Sequence, residues 1–262
     1  MAKKTGPYIG VTGFMSRTEV NEALTAVSGE TLYRLMVGVL MSSETLGGQT
    51  NKLSGRYPKK EAVADIFVDD PRALNLVHYN TANPNMLFYE IQQIVELAGP
   101  HLDGFQFNVK WPDPSQIEAI REAYPDLYLV LQIGGHAMEE VATMGNHPTE
   151  RFKAAIEWYV PWIDGVLIDP SGGQGKLFKL AEIVEYLRIA RSFFDLGIGA
   201  AGGLGPRTVH LIEPLVRELP GMSIDAEGQL RTPKPEDALD PEAVDSYIVL
   251  AHLLLEGKHV GT

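Results

Sequence analysis

Short apolar, β-branched runs alternate along the chain with longer segments whose apolar residues recur every three to four positions. Strand-like runs fall at residues 8–14, 34–42, 73–80, 104–109, 127–134, 164–170, 197–203 and 222–228. The intervening segments carry helix signals. "SRTEVNEALTAV" opens on Ser16 and Glu19, the spacing of a capping box. "NPNMLFYEIQQIVELAG" places Met86, Phe88, Ile91, Ile94, Val95 and Leu97 at helical spacing and stops at Gly99. "PSQIEAIREAYP", "TERFKAAIEWYV" and "GKLFKLAEIVEYLRIARSFF" follow the same rule. "PRTVHLIEPLVREL" contains Pro214, which kinks or shortens any helix there. "DPEAVDSYIVLAHLLLEG" begins with Asp240 as cap and Pro241 at the first helical position.

Strands separated by helices pair in parallel through crossovers. Near-continuous apolar strands such as "LYLVLQI" suit a sheet covered on both faces. A doubly wound open sheet would give the same alternation. The strand count, the 262-residue length and the lack of a GxGxxG fingerprint after the first strand favour a (β/α)8 TIM barrel instead, one domain over residues 1–262. Two stretches exceed ordinary loop length, "SETLGGQTNKLSGRYP" after strand 2 and "RTPKPEDALDPE" after strand 8. Both follow strand C-termini, where barrel enzymes build their sites.

Composition narrows the chemistry. A net charge of −12 argues against nucleic-acid binding, which relies on Lys and Arg neutralising phosphates. There is no cysteine, hence no disulfide, thiolate metal site or thiol nucleophile. The seven histidines form no HxH or HExxH pair, so no metal and no cofactor is expected. No secretion signal opens the sequence, and "YIVLAHLLLEG", interrupted by His252, is too short to span a bilayer. A cytoplasmic protein without a membrane partner is the expectation; the oligomeric state stays open.

Glycine clusters close strands 6, 7 and 8, in "DPSGGQG", "AAGGLGP" and "DAEGQL". Glycine lets backbone N–H groups approach an anion, and converging loops of this kind suit a phosphate held by Gly172, Gly173, Gly175, Gly202, Gly203 and Gly228. Tight turns alone would explain each cluster separately. Asp169 ends the sixth apolar run, where an acid serves catalysis or caps the glycine loop.

These segments resemble the phosphoribosylanthranilate isomerase family. "GVLIDPSGGQGKLF", "AAGGLGPRTV" and "SIDAEGQL" look like its strand 6, 7 and 8 signatures. "IGVTGF" sits where the family has Lys-Ile-Cys-Gly, with Gly13 on the glycine; "SGRYP" matches Ser-x-Arg-Tyr after strand 2; "FQFNV" falls on the Gln-Leu-His-Gly strand 4 and shares Gln106. The resemblance implies an Amadori-type aldose–ketose isomerisation of a phosphorylated sugar or sugar amine, with a phosphorylated small molecule as the partner. In it, Asp169 is the acid that opens the sugar ring, Arg56 pairs with a substrate carboxylate, and Asp225 positions substrate. A base must also take the C2 proton.

Several positions depart from the family pattern. Thr12 replaces the family's cysteine base and accepts a C–H proton poorly, so His78, His136 or Asp225 is needed beside it. Of these, His136 follows Gly134 and Gly135 and is expected to touch substrate. Glu227 and Gly228 replace Ser-Ser-Gly, so Glu227 is expected to point away from a phosphate, or the ligand differs. Asn108 replaces a histidine, and Lys179-Leu180 replaces Asp-Trp. Two alternatives stay open: lyase or aldolase chemistry through a Schiff base on Lys110, and a binding protein without turnover.

Overall fold

The computed structural model describes residues 6–27, 31–143, 147–170 and 180–257. Eight strands form a closed barrel in sequential order: β1 Tyr8–Thr12, β2 Arg34–Ser42, β3 Ala73–Asn80, β4 Gly104–Phe107, β5 Tyr128–Gly134, β6 Gly165–Asp169, β7 Gly197–Ala201 and β8 Ser223–Ala226. Every neighbouring pair is parallel, and β8 closes on β1. The fold is a (β/α)8 barrel, and each expected strand is present, β2 and β3 with the expected ends and the other six shorter.

The helices follow the expected caps. Helix α1, Arg17–Thr25, starts at Ser16 with both halves of the Ser16–Glu19 capping box formed. Between β2 and β3 lie two single turns, α2 Ser43–Leu46 and α3 Val63–Ile66. Helix α4, Leu87–Ala98, buries Leu87, Ile91, Ile94 and Ala98, while Met86 sits in a preceding 3-10 turn and is exposed. Helix α5, Pro114–Ala123, follows β4. The β5–β6 crossover holds α6, Gly135–Thr143, and α7, Pro148–Glu157. Helix α6 had no counterpart in the sequence reading, because the Gly134–Gly135 pair at its start reads as a turn. Helix α8, Leu180–Arg191, follows β6. After β7 a 3-10 turn, Val209–Ile212, precedes α9, Glu213–Glu218, so Pro214 divides the segment as its missing N–H requires. Helix α10, Pro241–Leu255, is capped by Asp240, which accepts from the Glu242 and Ala243 amides.

Alternation along the strands sorts the core into two parts. Outward residues such as Val11, Val37, Val77, Leu129 and Ile168 pack against the helices. Inward residues fill the barrel with Tyr8, Met36, Leu74, Leu76, Tyr128, Val130 and Leu167. Further along four of the strands the inward line turns polar. Tyr8 and Gly10 lead to Thr12, Leu74 and Leu76 to His78, Tyr128 and Val130 to Gln132, and Leu167 to Asp169. The lower barrel is thus apolar packing, and the C-terminal mouth carries the chemistry. Among the described residues, no helix is long and apolar enough to cross a membrane.

Candidate active site at the barrel mouth

Six buried polar side chains from five strand ends and the middle of β4 form one hydrogen-bonded chain. Thr12 donates to Asp225, with Oγ1 at 3.0 and 3.1 Å from the two carboxylate oxygens. Gln106 Nε2 lies 3.1 Å from Asp225 Oδ2, 2.9 Å from Gln132 Oε1 and 3.0 Å from His78 Nδ1. Gln132 Nε2 in turn donates to Asp169 Oδ2 at 3.0 Å. Two carboxyl groups from β6 and β8 are therefore linked through two amides, and all six groups are buried. Networks of this kind hold their members in one geometry because each unmade bond costs about 1–3 kcal/mol.

Space for Asp225 depends on its neighbour. A Cβ on Gly10 would lie 2.6 Å from Asp225 Oδ1 and 2.8 Å from Met36 Cε. Only glycine lets β1 run beside that carboxylate.

Burial sets the proton affinities. It pushes the Asp225 carboxyl up to about 7, against the hydrogen bonds from Gln106 and Thr12, while Glu227 and Asp169 add repulsion. It pushes His78 down to about 4, with Asp169 partly offsetting the shift. His78 is thus a neutral imidazole at neutral pH. Burial also raises Glu227, opposed by the Arg56 guanidinium.

A shallow recess with a cavity volume of about 50 Å³ opens over this chain. Asp169, Asp225, His78 and Gln132 face it, together with Asn108 and Glu227. Gly202, Gly203 and Gly228 form its backbone wall. Gly202 and Gly203 have φ of 113° and 67°, a left-handed path that glycine follows without strain. The structure thus brings Asp169, Asp225, Gly202, Gly203 and Gly228 to one recess, with Thr12 held beneath Asp225. Gly172, Gly173 and Gly175 lie outside the described residues.

Other expected site residues are placed elsewhere. Arg56 is held by two carboxylates: a two-bond fork to Asp237, Nε–Oδ2 at 2.7 Å and Nη2–Oδ1 at 2.9 Å, and Nη1 to Glu227 at 2.7 Å. To take a substrate carboxylate it would first have to release one of them. Glu227 does not point away; it lines the recess, and its charge is matched by Arg56. His136 sits in the first turn of α6, exposed and 3.2 Å from Glu139, outside the recess. Lys110 is exposed and paired with Glu140 at 2.8 Å, without the burial that gives a Schiff-base lysine its nucleophilicity.

Sequence reasoning missed the strap that crosses the mouth. Arg231 donates to the Gly55 carbonyl at 2.8 Å and to the Asp237 carbonyl, while Asp237 also grips Arg56. The long loops after β2 and β8 are joined by these contacts over the end of β1. It also passed over Gln132, although a lone amide in "LYLVLQIG" is a visible signal for an inward polar position.

No family model and no curated protein sequence matches the chain. Solved structures do match in shape. A phosphoribosylanthranilate isomerase from Thermus thermophilus superposes with a TM-score of 0.61 at 13% identity, covering 94% of this chain and 99% of that one. The tryptophan synthase alpha subunit from Legionella pneumophila gives 0.55 at 12%, covering 97% and 93%. The catalytic domain of a Pyrococcus furiosus chitinase gives 0.55 at 8%, covering 100% and 99%. At such identities, likeness to three different enzymes establishes the eight-stranded barrel that this chain shares with them, and leaves its chemistry to the residues at the mouth.

Proposed function

We propose that the protein is an acid–base isomerase of a small phosphorylated sugar or sugar amine, diverged from the phosphoribosylanthranilate isomerase pattern. One observation carries the reading: Asp169 and Asp225 face one recess from β6 and β8, linked through Gln132 and Gln106. Asp169 delivers a proton to the ring oxygen, and the sugar opens to its carbonyl or iminium form. Asp225, with an affinity near neutrality, then takes the C2 proton, leaving an enol. The protonated Asp225 returns a proton to C1 while the C2 hydroxyl gives its own to Asp169, which forms the ketose and restores both groups. Thr12 holds Asp225 in place; the base that the threonine cannot supply comes from the carboxylate it touches. Phosphate is received by the amides of Gly202, Gly203 and Gly228.

A second reading, a sugar-phosphate binder without turnover, draws on Arg56, whose fork is engaged within the protein. The test separates the two. N-(5′-phosphoribosyl)anthranilate and a panel of phosphorylated aldoses are assayed for ketose formation, with thermal-shift titration of the same compounds in parallel. Turnover that falls about 10²–10⁴-fold in Asp225→Asn supports the isomerase. Binding without turnover supports the binder. Neither binding nor turnover across the panel overturns both.

A further inference from the structure

Three polar atoms surround a nitrogen that owns two hydrogens. Gln106 Nε2 lies within 3.1 Å of Asp225 Oδ2, Gln132 Oε1 and His78 Nδ1, whereas its own Oε1 is buried without a partner among the described residues. The amide orientation nevertheless follows from its surroundings. Ionised Asp225 requires a donor at Oδ2, and Gln106 Nε2 supplies it, so Gln106 turns its nitrogen toward the network. Its second N–H then goes to Gln132 Oε1. The atom facing His78 Nδ1 at 3.0 Å is therefore an amide nitrogen with both hydrogens engaged, which cannot accept. An N–H on Nδ1 would set donor against donor at that distance, so Nδ1 carries no proton. A neutral imidazole then carries its proton on Nε2.

We propose that His78 is a neutral electrophile of fixed tautomer, with Gln106 as its positioning residue, and that its Nε2–H is presented to the recess as a hydrogen-bond donor for an oxygen of the substrate. The inference rests on the isomerase reading above and names what holds the developing oxyanion. Proton removal at C2 of an open aldose moves charge onto its C1 oxygen. Asp169, Asp225 and Glu227, the ionisable groups that share the recess with His78, cannot stabilise that charge when ionised. A neutral N–H can, and unlike an imidazolium it is not drawn into a salt bridge with those carboxylates. His78 was a candidate base from sequence; burial instead leaves it uncharged down to about pH 4. Asn108, on the same wall, is the second uncharged side chain available to the oxygen.

The tautomer is readable without substrate. Protein labelled with 15N-histidine is followed by long-range proton–nitrogen correlation from pH 8 to pH 5, with His78 assigned from its loss in His78→Gln. The expected result is a single neutral Nε2–H form throughout. An Nδ1–H form, or titration near 6.5, overturns the proposal. In Gln106→Glu, Nδ1 gains an acceptor, so the expected result is a shift to Nδ1–H or to imidazolium with a raised pKa. An unchanged His78 spectrum in that folded variant removes Gln106 from its positioning role and overturns the proposal. In turnover assays, His78→Phe is expected to lower kcat about 100-fold with a smaller change in KM, and an unchanged kcat counts against the electrophile. If the wild-type protein turns over no compound of the panel, the isomerase reading fails while the tautomer result stands by itself. If turnover is present and the tautomer is wrong, this inference alone fails.

Discussion

Replacing Asp225 by asparagine should stabilise the protein at alkaline pH, and by an amount that grows with pH. The native carboxyl titrates at about 7, whereas in the unfolded chain it returns to 3.8. Between those values the native state binds more protons than the unfolded state, so this group's contribution to stability falls as pH rises. Asparagine has no such term, and its amide can face the Thr12 oxygen while its carbonyl accepts from Gln106. Working the linkage relation with these two values, the advantage of Asp225→Asn over wild type grows by about 2–3 kcal/mol from pH 5 to pH 8. His78 works in the opposite sense. Its native pKa of about 4 lies below the unfolded 6.5, so its contribution rises with pH across that interval. In wild type the two slopes largely cancel; the variant should expose the rising one. Urea unfolding of both proteins at pH 5, 6, 7 and 8, with equal m-values as the check on two-state behaviour, measures the difference directly. A constant difference across the series, or one that shrinks toward pH 8, would refute the account of Asp225 as a buried carboxyl with raised proton affinity.

Other consequences follow from the same contacts. Gly10→Ala puts a methyl against Asp225 and Met36, and overpacking of this kind should cost about 1–3 kcal/mol in urea unfolding. Arg56→Met leaves Glu227 without its cation and Asp237 with Arg231 alone; both are mostly buried, so a loss of roughly 1–3 kcal/mol is expected, with Arg56→Lys recovering little because an ammonium cannot repeat the fork. For turnover, kcat should climb through about pH 7 to a plateau, since Asp225 works as a base only when ionised. A pH-independent kcat between 6 and 8 would place the base elsewhere.

The architecture was legible because short, near-continuous apolar runs and helix caps are local signals. Ser16 with Glu19, Asp240 with Pro241, and the dividing Pro214 all act within a few residues of themselves. Asp169 and Asp225 were also visible, as acids ending apolar strands, and barrel closure brings such ends together. What closure does not encode is which end groups bond each other. The pairing of Gln106 with Asp225 spans 119 positions and that of Arg56 with Asp237 spans 181, and neither leaves a mark in the sequence near either partner. His136 shows the converse. Two glycines before it suggested a turn into the mouth, but Gly135 opens α6, and the helix carries the imidazole out to solvent. Arg56 was found by its motif, yet its engagement depends on the loop after β8, whose course residue types alone do not specify.

The most direct test follows the C2 proton itself. The protein is incubated in D2O with N-(5′-phosphoribosyl)anthranilate and the phosphorylated aldoses, and deuterium entering the carbon skeleton is read by NMR for wild type, Asp225→Asn and Asp169→Asn. Wild type should wash deuterium into a substrate carbon, Asp225→Asn should lose that exchange by at least 100-fold, and Asp169→Asn should slow ring opening of the closed sugar. Exchange that survives at full rate in Asp225→Asn would contradict the claim that this buried pair performs the chemistry.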